Sequence, residues 1–479
     1  LEHVSLKKSF FWGAAYGFLA YFCLCWWLSA FGAAAILFVC VLFSFYNAIL
    51  FFLIVWSKQI FPQKLLRFFW IFRALLVLSV EFLRTHGIFA FSYGIIGYSQ
   101  WRNPVFLRFS SLFGVTGVSF VILLINSLLA KILFEKNLGA NLKNLSFSAS
   151  LVAGILVFSL FPSIILPKRP VFPIQVALVQ NASSAPSCAM SDYEKDSLLL
   201  QKLTDEALVF SPHSNLVVWP ETAVVPDILY HRENTADSRR HKLSEEIFDY
   251  FKSKKCSFLI GSNHLDEKGT HNSALYFSPD SEKVGVYSKN RLVPFTEFWP
   301  SFLDFKIFDG IKDSLNCEFF AKGSGIEIFS IESGKSDAVL HFAAPICFED
   351  SFPSLIREMK MAGADFFVNI SDDAWSGCDA ARNMHLSMSA FRCAEFSSPM
   401  LRSTIDGKTC VVGPDGKVVS EIESGIDSFL CAGVEVPKGS GSLYLVIGDL
   451  PISVLCAAIA LFLLILSARF CKIKTYGRR

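Results

Sequence analysis

The chain has 479 residues, with 44 Lys plus Arg against 42 Asp plus Glu, and its net charge of +2 gives no bulk basic signal for nucleic acid. It is 52% hydrophobic with 49 Phe, and a mean hydropathy of +0.44 excludes an ordinary soluble protein. The apolar residues concentrate in 10–166 and 443–468, whereas 170–440 has soluble composition.

A membrane-crossing helix needs about 20 apolar residues. Six stretches qualify: roughly 10–30, 33–56, 66–84, 111–134, 146–166 and 447–468. The first two are parted only by Gly32 and small residues, and their joint length predicts a pair rather than one span. Basic residues in short loops orient the set. One set of ends carries thirteen: Lys7, Lys8, Lys58, Lys64, Arg67, Lys131, Lys136, Lys143, Arg469, Lys472, Lys474, Arg478 and Arg479. The opposite ends carry Arg84, Arg102, Arg108, Lys168 and Arg169. The alternation holds across all six spans and predicts both termini in the cytoplasm, with the soluble part outside. The expected organisation is membrane helices over 1–169, a soluble domain over 170–440, and a last helix with a basic tail over 441–479.

Arg73 and Glu81 fall in or near the third span, where charge is costly and has partners or a function. Glu81 and Arg84 also fit a plain i,i+3 ion pair. Ile88–Trp101 is aromatic and Gly-rich but too short to span. It reads either as an interfacial segment or as an aromatic-belt loop.

In the soluble part, short apolar runs recur at Ile174–Gln180, Leu216–Trp219, Phe258–Gly261, Ser273–Phe277, Val284–Tyr287, Ile326–Ile331, Val339–Ile346, Phe366–Ile370, Thr409–Val412 and Phe429–Ala432. Helical patterns lie between them at about 194–210, 238–254, 351–362 and 380–397. This alternation predicts an α/β fold with a buried sheet. Gly413-Pro414-Asp415-Gly416 reads as a turn between two strands.

The 13 Cys lack paired C-x-x-C zinc spacing, and no Gly-rich phosphate loop is visible. No metal and no cofactor are expected. Some cysteines of 170–440 would be disulfide candidates in an oxidising compartment. Cys347 stands apart, because its strand run ends there and Ser351-Phe352-Pro353 opens a helix. That position predicts a lowered thiol pKa and a reactive sulfur. A buried structural thiol is the plainer alternative. Two other strand ends deliver charge: Leu216–Trp219 leads into Pro220-Glu221, and Tyr287-Ser288 leads into Lys289, with Glu297 eight residues on. Thiol, carboxylate and ammonium together make a nucleophile, a base and an oxyanion stabiliser.

The order Glu221, Lys289, Cys347, within W-P-E, K-x-x-L-V-P-F-x-E and C-F-E-D, resembles the nitrilase (carbon–nitrogen hydrolase) superfamily. Asn369-Ile370-Ser371-Asp372-Asp373-Ala374-Trp375 and Leu401-Arg402-Ser403-Thr404 follow in order. Within that superfamily the motifs most resemble the apolipoprotein N-acyltransferase family, over nearly the whole chain. The resemblance implies a multi-span α-helical membrane domain plus an extracytoplasmic α/β nitrilase-like αββα sandwich. It implies an acyltransferase of the bacterial inner membrane, with a phospholipid donor, a diacylglyceryl apolipoprotein acceptor and a periplasmic site. A monomer is expected.

By that resemblance Cys347 is the nucleophile, Glu221 the general base, and Lys289 the oxyanion stabiliser together with the Phe348 N–H. Glu297 either orients Lys289 or forms a simple ion pair. Glu349 either supports the nucleophile loop or only complements a helix start. Asn369, Asp373 and Trp375 are expected as pocket walls, or as packing, and His385 as an ordinary helix residue. Phe348 stands where the family usually has Tyr, Thr296 where it has Gly and Asp372 where it has Asn; these departures bear on substrate contacts. The chain opens on Leu1 rather than Met, and the family usually has two further spans, so two more are expected upstream. Two other classes compete. One is a membrane-tethered amidase with water as acceptor. The other is a transporter, against which the spans show no inverted repeat or paired broken helices.

Overall fold

The computed structural model describes residues 4–134, 145–147, 149–151, 153–155, 157, 169–182, 189–224, 226–280, 283–306, 309–314, 319–334, 338–439 and 441–476. The chain divides into two units, Leu1–Ile165 with Val446–Arg479, and Leu166–Leu445.

In the first unit, α1 (Leu6–Cys25) runs into a 3-10 turn at Trp26–Phe31. Gly32 then adopts φ +96°, which glycine tolerates without a Cβ clash. The chain reverses there into α2 (Ala33–Ile60), so the expected pair of helices forms. Gly13 and Gly17 give α1 a bare face. A Cβ on Gly13 would lie 2.3 Å from the Asn47 carbonyl oxygen, and one on Gly17 2.5 Å from that of Phe43. Small residues four apart allow the close backbone approach that holds helices together in lipid.

The third predicted span differs. Pro62 precedes a 3-10 stretch, Gln63–Phe68, and α3 proper (Phe69–Leu83) has 15 residues, short of a full crossing. Helix α4 (Pro104–Phe134) starts before the expected residue 111. Asn103 caps it through the Val105 N–H at 3.1 Å, and Pro104 suits the first turn. Its polar first turns, with Arg108, Ser110 and Ser111, masked the helix in the hydropathy pattern. Gly114, at φ +66°, kinks it. The last helix is Leu450–Tyr476. Among the described residues, four helices are long and apolar enough to cross a membrane: Leu6–Phe31, Ala33–Ile60, Pro104–Phe134 and Leu450–Ala468. The predicted span 146–166 falls largely outside the described residues, as do Lys136, Lys143, Lys168, Arg478, Arg479, Cys188 and Cys317.

Glu81 and Arg84 do not bond each other. Glu81 accepts from the Ile96 N–H at 3.2 Å, and Arg84 donates to the Tyr93 carbonyl at 3.1 Å and to the Tyr21 phenol. Both therefore tie Ile88–Trp101 to the end of α3. Arg73 donates to Ser127 of α4, at 2.9 Å to Oγ and 2.8 Å to the carbonyl. Each charge has polar partners, as burial in an apolar unit demands.

The second unit is built on two six-stranded sheets. The strands are β1 (Val171–Gln180), β2 (Leu216–Val218), β3 (Ser257–Asp266), β4 (Gly269–Phe277), β5 (Val284–Ser288), β6 (Phe329–Glu332), β7 (Val339–Ala343), β8 (Phe366–Asp372), β9 (Met400–Ile405), β10 (Cys410–Val412), β11 (Val418–Glu421) and β12 (Ser428–Pro437). The orders are β12-β1-β2-β3-β4-β5 and β11-β10-β9-β8-β7-β6. In each sheet a parallel trio, β1-β2-β3 or β7-β8-β9, is flanked by antiparallel strands. Parallel trios need cover on their faces. Helices α5 (Met190–Phe210) and α6 (Ser238–Lys254) supply it for the first sheet. Leu200, Leu203, Leu243, Ile247, Phe248 and Phe251 bury against Trp219, Phe258 and Phe277. Each such side chain contributes about 1.5–3 kcal/mol by leaving water. Helix α6 starts where Asp237 caps the Arg240 N–H at 3.1 Å, and its apolar residues at 243, 247, 248 and 251 share one face. Helices α7 (Pro353–Met361) and α8 (Asp379–Phe396) follow β7 and β8, and α8 packs on β10. The sheets meet where the Ser403 hydroxyl of β9 donates to the Val179 carbonyl of β1 at 2.6 Å. Strand β9 lies outside the expected apolar runs. Its Arg402, Ser403 and Thr404 are fully buried, so its polarity reflects partners rather than solvent.

Candidate active site

Glu221 follows β2 through Trp219-Pro220. The Gly261 N–H donates to the Pro220 carbonyl at 3.1 Å, holding this segment against β3. A Cβ on Gly261 would lie 2.5 Å from the Glu221 Cα, so only glycine admits the approach. The Glu221 carboxylate is buried and fully engaged. Oε1 accepts from Asn272 Nδ2 at 2.7 Å and Lys289 Nζ at 3.2 Å. Oε2 accepts from the Asp372 N–H of the other sheet at 2.8 Å. The site therefore sits where the two sheets meet.

Lys289 directly follows β5, and its N–H donates to the Asn272 carbonyl at 2.8 Å. Its ammonium is 1% exposed and lies 2.6 Å from Glu297 Oε1. Burial alone would push this ammonium's pKa down. The Glu221 and Glu297 carboxylates and the Cys347 sulfur override it, and the net direction is well up. Lys289 is therefore a fixed cation at neutral pH. Glu297 is itself fixed by the Val293 N–H, 2.8 Å from Oε2.

Cys347 lies just past β7 at the start of a 3-10 turn, Cys347–Ser351, with φ +51°. Glu221 acts on the thiol as a like charge and Lys289 as an opposite one. Its pKa is not lowered as the helix-start position predicted. Burial and the Glu221 carboxylate push it well up, against the opposing pull of Lys289. At rest the sulfur is a neutral thiol beside a carboxylate.

Glu349 is more than a helix-start carboxylate. Oε1 accepts from the N–H groups of Asn290 at 2.6 Å and Arg291 at 3.0 Å; Oε2 accepts from the Ile346 N–H at 2.9 Å and the Tyr287 hydroxyl at 2.9 Å. One fully buried side chain thus locks the lysine strand end to the cysteine turn. Burial raises its pKa to about 7, with the backbone N–H groups and Lys289 opposing. Asn369 bridges the cysteine turn: its Nδ2 donates to the carbonyls of Pro345 and Cys347, both at 3.0 Å. Phe348 packs edge-to-face on Phe352, centroids 4.9 Å apart. Trp375 sits half-buried in the 3-10 turn Ala374–Ser376. Thr296 donates to the Val293 carbonyl at 3.3 Å within the Glu297 turn. Burial and the Glu221 carboxylate raise Asp372 to about 7.

No role was legible in the sequence for Asn272, Tyr287, Asp350 or Arg402. Asn272 was visible only as a polar interruption in the apolar strand β4. His385, expected as an ordinary helix residue, is buried between Asp350 and Asp373, at 3.0 Å from each. Arg402 meets Asp350 Oδ2 at 2.5 Å and lies 3.6 Å from Asp373 Oδ2. Burial would raise the Asp373 pKa, but His385 and Arg402 bring it down to about 2. Two cations balance two carboxylates, as burial requires. The ten cysteines whose side chains are described are all free thiols.

A double-sheet α/β unit with a buried carboxylate and ammonium and a partly exposed thiol at its strand ends, joined to apolar helices, defines a nitrilase-type domain on a membrane anchor. Residues 175–435 match the family described as carbon-nitrogen hydrolase, and residues 1–128 match the apolipoprotein N-acyltransferase N-terminal domain. The chain belongs to the apolipoprotein N-acyltransferase family. Apolipoprotein N-acyltransferase 1 of Treponema denticola is 30% identical over 100% of this chain and 90% of its own length. That of Treponema pallidum is 32% identical over 83% of this chain and 77% of its own. A crystal structure of a carbon-nitrogen hydrolase from Helicobacter pylori aligns with a TM-score of 0.40 and 18% identity, covering 55% of this chain and 89% of that one.

Proposed function

We propose that this membrane protein transfers an acyl chain from a phospholipid to the N-terminal amine of a diacylglyceryl-cysteine on an apolipoprotein, through a thioester on Cys347. The reading is supported by family membership together with one geometric observation: a buried Lys289 fixed between Glu221 and Glu297, at 3.2 and 2.6 Å. Glu221 takes the Cys347 proton as the sulfur attacks the ester carbonyl. Lys289 and the Phe348 N–H carry the charge on the tetrahedral oxygen. Collapse breaks the C–O bond, and the proton on Glu221 goes to the departing lysophospholipid alcohol. The acceptor amine then attacks the thioester, Glu221 takes its proton, and collapse to the amide returns the proton to the Cys347 sulfur. Glu297 and Glu349 hold Lys289 and the cysteine turn in place. One chain supplies the whole constellation, which fits a monomer.

Turnover of phospholipid and a diacylglyceryl peptide by the purified protein tests this reading. The expected product is the N-acylated peptide; release of free fatty acid alone would instead indicate an amidase-like hydrolase. Lys289→Met loses one oxyanion donor and is expected to slow both half-reactions by roughly 10²–10³. Rates within about tenfold of wild type would remove Lys289 from that role.

The catalytic unit is assigned to the periplasmic side, because the thirteen basic residues flank the opposite ends of the spans. A cysteine placed at Lys268, in the exposed β3–β4 turn, is expected to react with an impermeant label added outside the inner membrane. Labelling only after the cytoplasmic face is opened would reverse the topology.

A further inference from the structure

The buried charges behind Cys347 take no part in the chemistry above, yet one of them reaches the nucleophile's own carbonyl. His385 Nδ1 donates to Asp373 Oδ1 at 3.0 Å, and Nε2 donates to Asp350 Oδ1 at 3.0 Å and reaches the Cys347 carbonyl at 3.3 Å. Both nitrogens donate, so the ring is an imidazolium. Burial alone would oppose that charge, but Asp350 and Asp373 raise its pKa to about 9. Asp350 Oδ2 is held in turn by the Ser389 hydroxyl and Arg402, each at 2.5 Å. On the other side, the Ser371 hydroxyl of β8 donates to Asp373 Oδ1 at 2.9 Å.

A histidine that only fills space needs no pair of buried carboxylates, which are costly unless paired. Here the cation is spent on a carbonyl whose residue holds φ +51°, a region L residues rarely adopt. Asn369 of β8 holds the same carbonyl from a second element at 3.0 Å.

We propose that His385 is a positioning residue for the nucleophile: held between Asp350 and Asp373, with Asp373 steadied by Ser371, it grips the Cys347 carbonyl and so fixes the backbone from which the thiol projects. This rests on Cys347 being the nucleophile. A displacement of about 1 Å at a reacting atom is enough to cost roughly 10²-fold in rate.

The test is single-turnover S-acylation by phospholipid in detergent, read as maximal rate and half-saturating concentration, beside thermal unfolding. Three full-length variants are measured: His385→Gln, the charge-balanced Asp373→Asn with His385→Gln, and Ser371→Ala, which keeps every charge. The expected result is a fall of roughly 10²-fold in maximal rate for the histidine variants, a smaller fall for Ser371→Ala, and an unchanged half-saturating concentration in all three. The charge-balanced variant decides the matter if His385→Gln alone unfolds, and Ser371→Ala decides it if both do. Wild-type maximal rate in any folded variant, or a loss expressed only in half-saturation, overturns the positioning role. Turnover by Cys347→Ala in the same assay would overturn the triad itself and is read separately.

Discussion

Cys347→Ala is expected to leave a folded, membrane-inserted protein that transfers no acyl chain. The thioester cannot form without the sulfur, and removing a nucleophile costs hydrolases about 10⁶-fold. The fold should survive. Alanine meets the same left-handed backbone penalty at φ +51° as cysteine does, and the turn is held by Glu349 and Asn369 rather than by sulfur. Thermal unfolding and product mass are the paired measurements. Wild-type turnover by the variant would remove Cys347 from the reaction.

The second large effect is on stability. Arg402→Met leaves Asp350 and Asp373 facing a single imidazolium, with a net negative charge in a fully buried site. An uncompensated buried charge costs about 3–5 kcal/mol. The catalytic unit is therefore expected to unfold several degrees earlier, and adding Asp350→Asn, which restores neutrality, should recover part of the loss. A single variant as stable as wild type would show that Arg402 does not balance these carboxylates.

The elements that carry the site were legible where chemistry is local. Apolar runs ending at Trp219 and Ile346 announced strand ends, and the residues just past them are the carboxylate and the thiol. Helix α6 was legible from its apolar spacing, and the α1–α2 reversal from one glycine. What stayed hidden depends on partners distant in sequence. Strand β9 breaks the apolar pattern because Arg402 answers Asp350 from across the site. Asn272 and His385 read as unremarkable polar residues until Glu221, Asp350 and Asp373 are placed beside them. The thiol's direction was misread for the same reason: a helix start is local information, and Glu221 is not. The third span begins at Phe69 rather than near residue 66 because Gln63–Phe68 winds as a 3-10 stretch, which composition does not distinguish from α-helix.

The central claim is a covalent acyl-enzyme on Cys347. Its most direct measurement is peptide mass spectrometry of the wild-type protein after incubation with phospholipid and no acceptor. The account predicts one acyl chain on Cys347, released by hydroxylamine and transferred when a diacylglyceryl peptide is added. N-acylated peptide formed with no adduct at Cys347, or with the adduct on another residue, would contradict it.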